Sequence, residues 1–222
     1  MIARELIDTA EVPGGEQLRL YRRGGDYMIV LDRNELMNSR MSGSEEVLAI
    51  DTIERLGRPA PHVLIGGYGM GFTLRAALGA LGPKARVTVA ELVPEIIHWA
   101  RGPMAALTAG GLDDPRVRVE QNDVAALIEA ADGAYDAILL DVDNGPDGLT
   151  RQGNDRLYSP RGLEAARIAL NPGGILAVWS AAPDTSFARR LAEARFEVEE
   201  VAVRARRNGK GPRHVIWFAR KR

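Results

Sequence analysis

The densest run of small residues in the chain, Gly66-Gly67-Tyr68-Gly69-Met70-Gly71, separates a short apolar segment, His62 to Ile65, from Phe72 to Leu81. In the latter, Leu74, Ala77, Leu78 and Leu81 recur at helical spacing. A glycine turn between strand and helix lets the backbone take positive φ and lets a ligand approach the unpaired N–H groups at the helix start. Alone it is ambiguous, because glycine also serves close helix–strand packing. Glu91 supplies a context, standing directly after the next apolar run, Arg86 to Ala90. A carboxylate there is placed to accept hydrogen bonds from ribose hydroxyls at the point where strand order reverses; the structural alternative is a cap for the next helix. Asn122-Asp123, after Val117 to Glu120, forms a third polar station on the same sheet edge. Asp123 either accepts from an adenine amino group, caps the helix that begins at Val124, or does both. Together these residues read as a nucleotide-type cofactor site.

A second cluster, Asp141-Val142-Asp143-Asn144-Gly145-Pro146-Asp147, ends the fourth apolar run. Several carboxylates at one sheet opening repel one another unless a cation or hydrogen bonds compensate, which makes them candidates for binding or proton transfer. The plain alternative is a polar turn. Tyr158 lies either on the acceptor side of such a site or at the edge of the core. The chain has no cysteine, which excludes disulfides, thiolate metal sites and a cysteine nucleophile, and its three histidines match no zinc spacing. No metal is expected.

These stations need a scaffold that brings strand ends together. Residues 17 to 32 read as two strands around Gly24-Gly25, giving a small N-terminal β appendage over 1–42. Residues 43 to 56 read as the first helix of a main domain over 43–222. Strand and helix patterns then alternate: helices over 72–81, 93–107, 124–131, 160–170 and 186–194, and strands over 62–65, 86–90, 117–120, 137–140 and 175–179. Segments 197–205 and 214–219 read as an antiparallel hairpin. The expected fold is α/β: a doubly wound, mostly parallel seven-stranded sheet, Rossmann-like, with a reversed last strand.

With 222 residues, 45% hydrophobic and 27% charged, the chain has an ordinary globular composition. No apolar run approaches a membrane span or a signal peptide, so a cytoplasmic location is expected. The net charge of −1 gives no global attraction to nucleic acid, although eight Lys or Arg residues and no acid occupy 204–222. That basic hairpin is either solvated or the one surface for an anionic partner.

In order and combination, several runs resemble the polyamine aminopropyltransferases, such as spermidine synthase, within the class I methyltransferase superfamily. They are Gly66 to Arg75, Val87 to Glu95, Asp114 to Val117, Tyr135 to Asp141, Leu157 to Ser159 and Leu170 to Gly174. The resemblance implies an S-adenosylmethionine-type cofactor, with Glu91 on the ribose, Asp123 on the adenine and Asp141 taking the proton of an attacking amine. It also suggests a homodimer. The cofactor-binding set is then Gly66, Gly67, Tyr68, Gly69, Met70, Glu91, Leu92, Asn122, Asp123, Val124 and Asp141, and the catalytic set Asp141, Asp143, Asn144 and Tyr158. Three positions depart from the family: Met70 and Asn144 where it has aspartates, and Ser44-Glu45-Glu46 where it has Tyr-His-Glu. On these departures the leading expectation is methyl transfer from intact S-adenosylmethionine to an unidentified small-molecule or exposed acceptor. Aminopropyl transfer from the decarboxylated form to a polyamine is the second reading, and a non-catalytic cofactor-binding regulator with an anionic partner the third. A dinucleotide dehydrogenase is disfavoured by the Gly-x-Gly-x-Gly spacing.

Overall fold

The computed structural model describes residues 3–12, 16–142 and 155–222. An antiparallel meander comes first: β1 (Glu5–Glu11), β2 (Gln17–Arg23), β3 (Asp26–Leu31) and β4 (Asn34–Asn38), paired in that order. The sequence reading finds only β2 and β3. β1 and β4 escape it because each pairs on one side only, and in β1 Ala10 is the single buried residue. Backbone pairing rather than apolar alternation makes them strands.

α1 (Gly43–Leu56) buries Leu48, Ala49, Ile53 and Leu56, and ends at Gly57, whose φ of +61° returns its N–H to the Ile53 carbonyl. Strands and helices then alternate as β5 (His62–Gly66), α2 (Phe72–Ala80), β6 (Arg86–Ala90), α3 (Pro94–Arg101), α4 (Ala105–Thr108), β7 (Val117–Glu120), α5 (Val124–Glu129) and β8 (Tyr135–Leu140). The chain finishes with α6 (Asp155–Tyr158), α7 (Pro160–Ala169), β9 (Leu170–Ser180), α8 (Thr185–Glu193), β10 (Phe196–Arg204) and β11 (Arg213–Lys221). The single helix expected over 93–107 is two. Pro103 has no N–H to offer and disfavours helical geometry before it, and Gly102 accordingly leaves the α region at φ −103°, ψ −109°.

The large sheet has the order β10-β11-β9-β8-β5-β6-β7. β5 to β9 run parallel, and β11 is antiparallel to both β9 and β10. The expected fold class therefore holds, with the reversed strand one place in from the edge. β8 is buried at every position, as befits a central parallel strand covered on both faces. The chain winds from β5 to one side through β6 and β7 and to the other through β8 and β9, so the crevice at the carboxyl ends of β5 and β8 is the switch point where ligands bind in such sheets. One apolar cluster joins Leu18, Leu20, Ile29 and Leu31 of the small sheet to Leu48, Val63, Leu74 and Trp99 of the large domain. Among the described residues no helix is long and apolar enough to cross a membrane.

α8 depends on its cap: Asp184 accepts from the N–H groups of Ser186 and Phe187 at 2.8 and 3.0 Å, and Phe187 is fully buried. Replacing Asp184 with Ala is expected to cost about 1 kcal/mol, read as a lower urea midpoint at constant slope. An unchanged midpoint would show that the cap is dispensable.

Candidate functional site

The glycine turn is pinned on both sides. The Gly67 N–H donates to the Ala90 carbonyl at 2.9 Å, at the end of β6, and the Asp141 N–H donates to the Gly66 carbonyl at 3.0 Å, at the end of β8. Gly67 has φ +84°, and a Cβ there would stand 2.5 Å from the Asp141 carbonyl oxygen. Only glycine tolerates both conditions. Gly66 is a packing contact instead, facing Val124.

Glu91 locks the same turn. Its carboxylate is 8% exposed, and each oxygen accepts one backbone N–H, from Tyr68 at 2.9 Å and from Val93 at 2.8 Å. Burial raises its pKa, and these amide bonds pull it back. A carboxylate has about four acceptor positions, so Glu91 retains capacity toward the cleft that it lines. Asp123 caps α5 through Oδ1, which accepts from Ala125 N–H at 2.8 Å, while Oδ2 takes Arg156 at 2.5 Å. The cap predicted from sequence is present, and Arg156 was not foreseen.

The cleft encloses roughly 820 Å³, part of it open to solvent. Its floor holds Gly67, Gly69, Glu91, Asn122, Asp123 and Asp141, and its flank Leu92 and Val124. Its roof is apolar and comes from the small sheet and its flank: Val12, Leu18, Ile29, Leu31, Leu36 and Met37. Sequence reasoning missed the roof, since aliphatic residues alternating in a hairpin signal only a buried face.

A second carboxylate joins Asp141. Thr73, in the first turn of α2, donates to Asp141 Oδ2 at 2.6 Å. Burial pushes the Asp141 pKa up to about 6, against that hydrogen bond. Glu45, in the first turn of α1, is pushed up to about 8 by burial first and the Asp141 charge second, with the Ser44 hydrogen bond opposing. Among the described residues neither has an ion-pair partner, whereas the adjacent Glu46 pairs with Arg207 and Arg75.

No family model matches the chain. Curated relatives include polyamine aminopropyltransferase 1 of Streptomyces coelicolor, 35% identical over 130 residues, covering 58% of this chain and 24% of the relative. The polyamine aminopropyltransferase of Mycobacterium tuberculosis is 31% identical over 172 residues, 76% of this chain and 30% of the relative. Among solved structures, a spermidine synthase in complex with the transition state analogue AdoDATO superposes with a TM-score of 0.78 at 19% identity, covering 98% of this chain and 73% of that one. The spermidine synthase of Thermotoga maritima gives 0.77 at 18%, with the same coverage. This is a spermidine-synthase-like protein. It has the class I methyltransferase-like fold and spans about a quarter to a third of the length of these curated relatives.

In this spermidine-synthase-like chain, the candidate residues divide into three groups. Gly67, Gly69, Glu91, Leu92, Asn122, Asp123, Val124 and Asp141 line one cleft. Tyr68 offers its backbone N–H, but its side chain is 4% exposed; Met70, 2% exposed, packs in the main core, and neither side chain lines the cleft. Met70 is flanked by Gly69 and Gly71, both at positive φ, in the turn that leads into α2. Tyr158 is 4% exposed and meets Phe187 edge-on at 5.6 Å in the second core cluster, away from the cleft. Asp143 and Asn144 lie outside the described residues. Of the basic C-terminal residues, Arg204, Arg207, Arg220 and Lys221 bind groups of the protein itself.

The acid pair makes the ligand-free protein pH-sensitive. Both folded pKa values exceed the unfolded values of about 3.9 and 4.3, so this pair holds more protons in the native state than in the unfolded chain from about pH 4 to pH 8, whereas His62 and His214, whose pKa burial lowers, hold fewer in the lower part of that window. The pair's contribution to stability is fully present below that window and lost as pH rises through it. Melting temperature is expected to fall from pH 7 to pH 9 as Glu45 ionises, and Glu45→Gln to flatten that fall. A wild-type curve that rises across this range would refute the assignment.

Proposed function

We propose that this chain transfers an aminopropyl group from decarboxylated S-adenosylmethionine to an amine. The observation that carries the reading is the Asp141 carboxylate at the cleft, held by Thr73 at 2.6 Å, with Glu45 acting on it by charge and no ion-pair partner for either among the described residues. With ribose at Glu91 and adenine at Asp123, the substituents on sulfur extend toward Asp141. An intact methionine tail would bring its own carboxylate toward that of Asp141, whereas a decarboxylated tail brings only an ammonium. The residues fit the donor on a further count: Gly67, Gly69, Glu91 and Asp123 line the same cleft as Asp141.

The methyl transfer expected from sequence rested on Met70 and on missing carboxylates. Met70 packs in the core and does not line the cleft, and Glu45 supplies a carboxylate whose charge acts together with that of Asp141. The names of the curated relatives support the same choice.

The donor supplies an electrophilic carbon beside a sulfonium. Asp141, with its raised pKa, takes the proton that the attacking amine nitrogen gives up as its bond to that carbon forms and the carbon–sulfur bond breaks, the electron pair staying on sulfur. Glu45 adds charge for a cationic substrate, and Glu91 and Asp123 hold the adenosine in line. The apolar roof excludes water, which strengthens each of these interactions.

Calorimetry with both donors tests the choice: decarboxylated S-adenosylmethionine is expected to bind at least roughly tenfold more tightly, about 1.4 kcal/mol. Equal or tighter binding of the intact form overturns it. Asp141→Asn is expected to lower kcat with a diamine acceptor by about 100-fold or more, measured as methylthioadenosine release; wild-type turnover in that variant would remove Asp141 from the chemistry.

A further inference from the structure

Ser44, fully buried, joins Glu45 to a residue on the far side of the sequence. Its Oγ donates to Glu45 Oε2 at 2.7 Å and lies 2.8 Å from Nδ1 of His214, the second residue of β11. His214 is 9% exposed, stands edge-on to Trp179 at 4.7 Å, and among the described residues hydrogen-bonds through Nδ1. Gly43 holds this junction together, since its N–H donates to the Ala205 carbonyl and a Cβ there would stand 2.7 Å from the Arg206 backbone.

A hydroxyl carries one proton and can donate to only one neighbour at a time. With Glu45 ionised, Ser44 donates to the carboxylate and the Nδ1–H of His214 donates to Ser44. With Glu45 protonated, the whole row reverses: Glu45 donates to Ser44, Ser44 donates to a bare Nδ1, and the imidazole proton resides on Nε2. The two arrangements differ by one proton and by the tautomer of His214.

We propose that Glu45, Ser44 and His214 form a proton relay leading away from the acid pair. In one passage Glu45 gives its proton to Ser44 Oγ, Ser44 gives its own to Nδ1, and Nε2–H releases one to water. One proton leaves, and every group ends with its full set of bonds. Asp141 and Glu46 are the charges that act on Glu45, and both favour its protonated state before a cation arrives. Burial keeps His214 neutral by lowering its pKa, so it passes protons without storing charge. Ser44 and His214 are positioning residues here, acting through Glu45. Their use in turnover rests on the aminopropyl-transfer reading, but the relay itself does not.

Imidazole nitrogen NMR on the ligand-free protein tests it, and the chain has only three histidines, so His62 and His98 serve as internal references. In the wild type, His214 is expected to change from the Nε2–H to the Nδ1–H tautomer as pH rises from about 6 to 9.5. Glu45→Gln, nearly isosteric and unable to ionise, is expected to abolish that change, and Ser44→Ala to uncouple it from Glu45. A single tautomer across the range in the wild type, or a change that persists in Glu45→Gln, overturns the relay. Neither donor nor acceptor is present, so this outcome is independent of which group the protein transfers.

Discussion

The main-chain contact between Gly67 and Asp141 governs the rest of the site. Because the turn after β5 presses on the carbonyl that ends β8, with no room for a Cβ, the glycine turn and the carboxylate of Asp141 are brought to one place. Glu91 braces this arrangement from the β6 side by accepting from the turn and from its own following loop. A cofactor carboxylate in such a position is also a structural one. The readings of Glu91 as ribose ligand and as local hydrogen-bond acceptor are therefore compatible, since two oxygens have lone pairs enough for both.

The small sheet gives that polar floor its energetic character. Six aliphatic side chains close over it, and charges beneath them lose hydration that the protein replaces only in part. Asp141 has Thr73 and Glu45 has Ser44, one neutral donor each, so both carboxyls favour the protonated form until a cation enters. The appendage thus belongs to the site as much as the glycine turn does, and its shared apolar cluster with α1 and β5 holds it in position.

The parts legible in the sequence were those with a local signature. Apolar runs disclosed the parallel strands, apolar residues at helical spacing disclosed α2, and the capping role of Asp123 followed from its place before Val124. Edge strands β1 and β4 had no such signature, and neither did the roof. Met70 shows a different limit. Its neighbours in sequence are glycines at positive φ, of which Gly69 lines the cleft, but such a turn points successive positions in different directions, and the Met70 side chain enters the core.

The sequence by itself determined the order of strands in the large sheet's domain, the switch point and the polar stations that line the cleft, because each is set by residue type and short-range spacing. Only the tertiary structure decided what surrounds Asp141. Glu45 lies 96 positions before Asp141 and His214 73 positions after it, and it is the packing of α1 between α2 and the β10–β11 hairpin that brings them into one electrostatic neighbourhood. Coulombic and hydrogen-bond coupling depends on distance in space, for which spacing along the chain carries no information.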